Sequence, residues 1–131
     1  KKGKNLAMNK IQKIRKPLLI ISWIGVFFGI TLLSLLPPKS AVPMGEYDKI
    51  SHLFAYICLA LNSFLLINSK KHFVGVVVLI FYGILIELLQ AYIPGRFPSF
   101  WDGVANSLGV IIGWVMIFYA KRFNLYKTPY S

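Results

Sequence analysis

Three pairs of polar residues stand at helical spacing in a chain that is otherwise strongly apolar: Asp48 with His52, Glu87 with Gln90, and Asp102 with Asn106. Residues three or four apart share one face of a helix, so each pair makes a short polar stripe. Carboxylate, imidazole and amide groups brought together can move protons or hold a hydrogen-bonding head group. His52 beside Asp48 has the pattern of a general base with its orienting acid. Glu87, taken partly out of water, could exchange protons. Lys49 and Arg96 add positive charge close by, whereas Ser51 and Ser99 lack any signature of an activated nucleophile.

These stripes lie at the ends of long apolar runs. The 131 residues are 56% hydrophobic and 15% aromatic, with a mean hydropathy of +0.63. A soluble domain of this length buries only part of what its chain exposes, so the bilayer is the solvent that suits the excess. The length allows one domain. Four runs, at about 18–36, 50–68, 73–93 and 101–120, each approach the roughly 20 residues that cross a bilayer. The expected fold is all-α, a polytopic four-transmembrane-helix bundle with short loops. A basic arm (1–17) precedes it and a basic tail (121–131) follows it. The first run ends in Pro37-Pro38-Lys39 and has no small-residue cleavage site, so it reads as a retained helix. Met8 is the expected start. Ile11 and Ile14 give the arm an amphipathic turn for the lipid surface.

Charge orients the bundle. Seven Lys or Arg precede the first run, Lys70 and Lys71 join the second to the third, and Lys121, Arg122 and Lys127 follow the fourth. The other side has only Lys39, Lys49 and Arg96. Basic loops mark the cytoplasmic face, so both termini are expected in the cytoplasm of a plasma-membrane protein. That topology accounts for the net charge of +11, and nucleic acid is not an expected partner. The lone Cys58 excludes an internal disulfide and a thiolate metal site, and is expected to pack in the core.

With the orientation set, the three stripes fall at one level. Asp48 and His52 sit at the outer end of the second span, and Asp102 and Asn106 at the outer end of the fourth. Glu87 lies about 8 Å below Tyr92, at roughly 1.5 Å per residue. A charge facing hydrocarbon costs about 2.5 kcal/mol or more, so the stripes should face one another. Gly109 and Gly113 continue the stripe of the fourth span. Like Gly25 and Gly29, they permit close helix contact within the bundle or in a homo-oligomer. Tyr92, Phe100 and Trp101 suit an interfacial aromatic belt.

Asp48-Lys49-x-x-His52, then Glu87-x-x-Gln90-x-x-x-Pro94-x-Arg96, then Asp102-x-x-x-Asn106-x-x-Gly109-x-x-x-Gly113 resembles the VanZ-like membrane protein family over about Leu35 to Gly113. Leu53 departs from the aromatic that often follows the histidine. The resemblance implies a cell-envelope membrane protein and a link to resistance against teicoplanin-type glycopeptide antibiotics.

The leading expectation is an outward-facing pocket that binds an outer-leaflet amphiphile, such as a lipid-linked cell-wall precursor or a lipoglycopeptide. Its core would be Glu87, Arg96, Asp102 and Asn106, with Asp48, Lys49, His52 and Gln90 around it. The N-termini of the second and fourth helices favour an anion there, helped by Arg96, Lys49 and Lys39. The carboxylates and Gln90 would bond the sugar or peptide part. An enzyme, a hydrolase or transferase acting on a lipid head group through His52, Glu87 and Asp102, is the first alternative. A small proton-coupled transporter or accessory subunit is the second. His52, Glu87 and Asp102 could also ligate a divalent metal, but their spacing is not diagnostic, and neither metal nor cofactor is expected. Structural roles compete with all of these. Ser99-x-x-Asp102 is a capping-box pattern, Glu87 could simply pair with Arg96 or His52, and Asn62 could bond between helices.

Overall fold

The computed structural model describes the backbone of residues 2–37 and 46–123, and the side chains of 15–37 and 48–123. Four helices follow in order: α1 (Lys2–Leu35), α2 (Glu46–Leu66), α3 (His72–Gln90) and α4 (Phe100–Arg122). A 3-10 turn (Ser69–Lys71) joins α2 to α3. No strand occurs among the described residues. All four helices are long and apolar enough to cross a membrane. Their lipid-compatible surface is extensive: Leu33, Phe73, Phe81 and Phe118 all point outward. Lys39, Lys127 and the side chains of residues 1–14, Ile11 and Ile14 included, lie outside the described residues.

The helices exceed the apolar runs at several ends. The arm and the first span form one helix, which continues through Pro17. α2 begins at Glu46, so Asp48 and His52 both belong to a regular helix. The α2–α3 connection is tight. Asn68 accepts a hydrogen bond from the Lys70 amide through its side chain, and Lys71 N–H bonds the Asn68 carbonyl at 2.8 Å. At that end Lys121 donates to Ser69 Oγ at 3.0 Å and lies 3.1 Å from His72 Nε2, tying the end of α4 to the turn.

The most extensive interface is between α2 and α4. Glycine explains it. A Cβ on Gly109 would come within 2.6 Å of the Leu53 carbonyl oxygen, and one on Gly113 within 2.6 Å of Ala60 Cβ. α4 therefore rests its bare backbone on α2. Between membrane helices there is little hydrophobic driving force, so such close contact, with its dispersion energy, is what holds them. Tyr56, Leu59, Ala60, Phe64 and Val110 fill the core beside this crossing.

α1 packs on α2 and α3 through side chains rather than glycines. Trp23 Nε1 donates to Ser63 Oγ at 2.8 Å, and Thr31 Oγ1 lies 2.8 Å from the Tyr82 hydroxyl. Phe27 stacks between Trp23 and Tyr82. Gly25 and Gly29 have open space where a Cβ would stand, so that pair makes no close contact within the chain. Two residues expected inside behave otherwise. Cys58 is exposed rather than packed in the core. Asn62 donates back to the Cys58 carbonyl of its own helix at 2.9 Å rather than across to a neighbour.

Replacing Gly109 with leucine should destabilise the purified protein by about 1–3 kcal/mol, the usual cost of overpacking. Gly25→Ala, made where space is open, should leave the unfolding midpoint in detergent unchanged. Thermal unfolding followed by size-exclusion chromatography reads both.

Candidate functional site

α2 starts, α3 ends and α4 starts at the same end of the bundle, and the polar stripes meet there. Asn106 is the hub. It is 1% exposed, and its amide Nδ2 donates to Glu87 Oε1 at 3.3 Å. Its Oδ1 lies 3.0 Å from His52 Nδ1. A carbonyl oxygen only accepts, so His52 Nδ1 carries the proton in this bond. The same ring nitrogen stands 3.7 Å from Glu87 Oε1. One side chain of α4 thus joins α2 to α3. The approach that permits it is the glycine contact one turn further along.

The other edge of the His52 ring faces acids. Nε2 is 3.7 Å from Asp48 Oδ1. One ligand atom each from Asp48, His52 and Asp102 lie within 4.8 Å of one another. His52 and Asp102 are buried and Asp48 is half-buried, so the group opens outward past Asp48. This set could hold a cation. Glu87, which the spacing suggested as a third ligand beside His52 and Asp102, instead meets the opposite nitrogen of the ring. Lys49 is exposed, and its charge acts on Asp102 through space.

Glu87 has a second neighbourhood. Its Oε2 is buried and makes no hydrogen bond of good geometry among the described residues, with the Ser99 backbone N–H the nearby donor that acts on the carboxyl. Glu87 also lines a cleft of about 540 Å³ between α3 and α4, together with Ile84, Leu88, Gly103, Ser107 and Ile111. The cleft is mostly hydrocarbon-lined. Ser107 spends its hydroxyl on the Gly103 carbonyl at 2.9 Å, and among the described residues of the lining only Glu87 carries a carboxyl.

Two residues placed with the site by spacing do not join this cluster. Arg96 Nη2 donates to the carbonyls of Leu33 at 2.7 Å and Leu36 at 3.3 Å, and its Nε also reaches Leu36. Gln90 Nε2 donates to the Ser34 carbonyl at 3.0 Å. Both close the end of α1, whose last carbonyls lack partners within their own helix. The guanidinium also meets the negative end of the helix dipole. Arg96 is aimed there by the turn Ile93-Pro94-Gly95-Arg96, closed by Arg96 N–H on the Ile93 carbonyl at 3.0 Å. Gly95 has φ 79° in that turn, a conformation that glycine adopts freely. Glu87 therefore pairs with His52 and Asn106, and Arg96 serves α1.

The capping-box pattern is also incomplete. Ser99 stands at the N-cap of α4, yet its side chain makes no cap bond. Asp102 is drawn into the acidic group instead. Spacing missed the Gly103–Ser107 face and the buried Tyr56, whose hydroxyl has no hydrogen-bond partner among the described residues. Gly103 and Ser107 are i,i+4, and two small residues at that spacing are a readable sign of a groove.

A family model described as VanZ/LLP1 matches residues 5–122. The chain belongs to the VanZ/LLP1 family. The matched segment contains α2, α3 and α4, all but the first three residues of α1, and every residue of the cluster. With four membrane-capable helices, this member of the family is a multi-pass membrane protein. Neither the curated proteins nor the solved structures contain a match.

Asn106→Leu should cost about 1–3 kcal/mol, because His52 Nδ1 and Glu87 Oε1 each lose a buried partner. Glu87→Gln combined with it should be less damaging than the sum, by about 0.5 kcal/mol or more, since the two residues share one bond. Unfolding of the single and double variants in mixed micelles checks the coupling.

Proposed function

We propose that this protein binds an amphiphile at the polar end of its bundle, with the ligand's tail in the α3–α4 cleft and its head at the Asp48–His52–Glu87–Asp102–Asn106 cluster. One observation carries the reading: Glu87 belongs to both places. Its Oε1 accepts from Asn106 inside the cluster, while its Oε2, without a hydrogen bond of good geometry, sits in the wall of an apolar cleft. A ligand that fits must be greasy along the cleft and must offer a hydrogen-bond donor where the cleft meets the carboxyl. Sugar hydroxyls, amides and amines supply such donors.

The acidic character of the cluster narrows the choice. Three carboxyls surround one imidazole, and Arg96 is engaged by α1. The sugar or peptide part of an amphiphile suits the cluster better than a bare phosphate does. A lipid-linked cell-wall precursor and a lipid-tailed glycopeptide both carry such parts. The family resemblance to teicoplanin-resistance proteins fits the second, with altered antibiotic susceptibility as the cellular consequence.

The basic residues at the opposite end, Lys70, Lys71, Lys121 and Arg122, support an orientation with that end in the cytoplasm and the cluster at the outer leaflet of the plasma membrane. Tyr92, Phe100 and Trp101, all strongly exposed near the cluster, suit the head-group layer.

Gly103→Leu tests the tail site, because a Cβ at Gly103 meets only Glu87 Cγ at 3.9 Å and a larger side chain would fill the cleft. Binding of fluorescent lipoglycopeptide and of labelled lipid-linked precursor to nanodisc-embedded protein should fall at least tenfold in Gly103→Leu and in Glu87→Gln. Susceptibility of cells expressing each variant should return towards that of cells without the protein. Unaltered binding of both probes in both variants would remove the reading.

A further inference from the structure

The geometry points to a divalent-cation site formed by Asp48, His52 Nε2 and Asp102, with Asn106 as the residue that orients the imidazole. This goes beyond amphiphile binding, and it rests on that reading only for what the open side of the cation would hold.

The argument starts from hydrogen bookkeeping. Asn106 has one donor and one acceptor aimed into the bundle. With Glu87 ionised, its donor is committed to Glu87 Oε1 at 3.3 Å, because a carboxylate cannot donate. Its Oδ1 therefore takes the proton of His52 Nδ1 at 3.0 Å. In the neutral imidazole the second nitrogen then bears a lone pair. That lone pair belongs to a histidine only 8% exposed. It faces Asp48 Oδ1 at 3.7 Å, beyond hydrogen-bond length. Asp102, 6% exposed, brings its carboxyl to the same spot. With the imidazole neutral, three acceptors converge, and among the described residues no hydrogen bond from a donor is made between them; the charge of the exposed Lys49 reaches Asp102 only through space. Electron pairs turned towards one another at the edge of a low-dielectric region call for a positive charge among them.

A divalent cation answers this arrangement. Two carboxylates neutralise its charge and the imidazole supplies a nitrogen ligand. A metal-bound histidine characteristically gives its other N–H to an oxygen acceptor, which fixes tautomer and ring orientation. Asn106 Oδ1 is that acceptor. The three ligand atoms lie within 4.8 Å of one another. Ligands about 2.1 Å from a tetrahedral metal stand roughly 3.4 Å apart, so the side chains need draw in by about 1.4 Å at most. Three protein ligands leave at least one position free, and the half-exposed Asp48 puts that position on the open side. A nitrogen and two carboxylates suit zinc or manganese better than calcium, which prefers six to eight oxygens, or magnesium, which keeps its waters. An occupied site would turn an acidic cluster into an anchor for a phosphate or carboxylate oxygen, the chemistry that Arg96 does not provide here.

The test uses full-length protein without a histidine tag, carrying Cys58→Ser so that the exposed thiol is not counted. After chelation, the protein in micelles is dialysed against zinc or manganese at low micromolar concentration, with calcium and magnesium for comparison. One zinc or manganese ion per chain is expected, with the unfolding temperature raised by the metal. His52→Gln and Asp102→Asn should abolish both effects. Asn106→Leu should weaken affinity about 10- to 100-fold, as loss of an orienting partner does. Asp48→Asn, at a half-exposed position that leaves the fold undisturbed, should weaken it at least tenfold. Absence of stoichiometric zinc or manganese in the parent protein, or retention of full affinity in His52→Gln, overturns the proposal. Either result leaves the amphiphile reading standing, because the Gly103→Leu experiment needs no added metal.

Discussion

Helix α4 has no side chain where it crosses α2, and the rest of the polar end depends on that bare contact. Gly109 lies against the Leu53 carbonyl and Gly113 against Ala60. A methyl group at either place would push the helices apart. Asn106 stands less than one turn before Gly109, so the separation set by glycine is also the separation its short amide must bridge. Dispersion between close backbones thus fixes a distance that hydrogen bonds then exploit. Gly83 makes a similar concession on α3, where a Cβ would come within 3.1 Å of both Asn106 and Tyr56.

Polar groups in hydrocarbon are tolerated only when they are paired, and among the described residues nearly all the buried ones are. Ser63 receives Trp23 and gives to Leu59, Thr31 meets Tyr82, and Gln90 reaches Ser34. Against that background the open Oε2 of Glu87 stands out. A buried acceptor without a well-made hydrogen bond costs on the order of 1–3 kcal/mol. That acceptor lies in the wall of the α3–α4 cleft, where a donor from outside the chain could reach it.

Much of this was legible in the sequence, for identifiable reasons. The four spans follow from run length alone, because the bilayer imposes one thickness on all of them. The i,i+4 stripes of Asp48–His52 and Asp102–Asn106 were readable because helix geometry converts spacing into a shared face, and the charge of Glu87 made exposure to lipid too costly. Cys58 and Asn62 misled because a membrane helix is apolar on both sides. Hydropathy therefore does not separate the face that meets protein from the face that meets lipid. Arg96 was grouped with the site because it sits at the correct depth; depth says nothing about which neighbour it turns to, and the unsatisfied carbonyls of α1 were the stronger claim. The cleft was hidden because it is made by what Gly103 and Ser107 lack. Pro94 and Arg96 stood in the motif, but the bend at Pro94-Gly95 and its role in aiming Arg96 emerged only with the fold.

The clamp on α1 also bears on the order in which the protein is built. Arg96 lies 63 residues beyond the Leu33 carbonyl that it grips. Translation runs from the N-terminus, so the leading helix is inserted long before its clasp exists, and water must serve its last carbonyls in the meantime. The clasp arrives only with the stretch following the third span. The carbonyl end of the leading helix is thereby closed only after most of the bundle has been threaded, whereas its contacts through Trp23, Phe27 and Thr31 use partners that lie earlier in the chain.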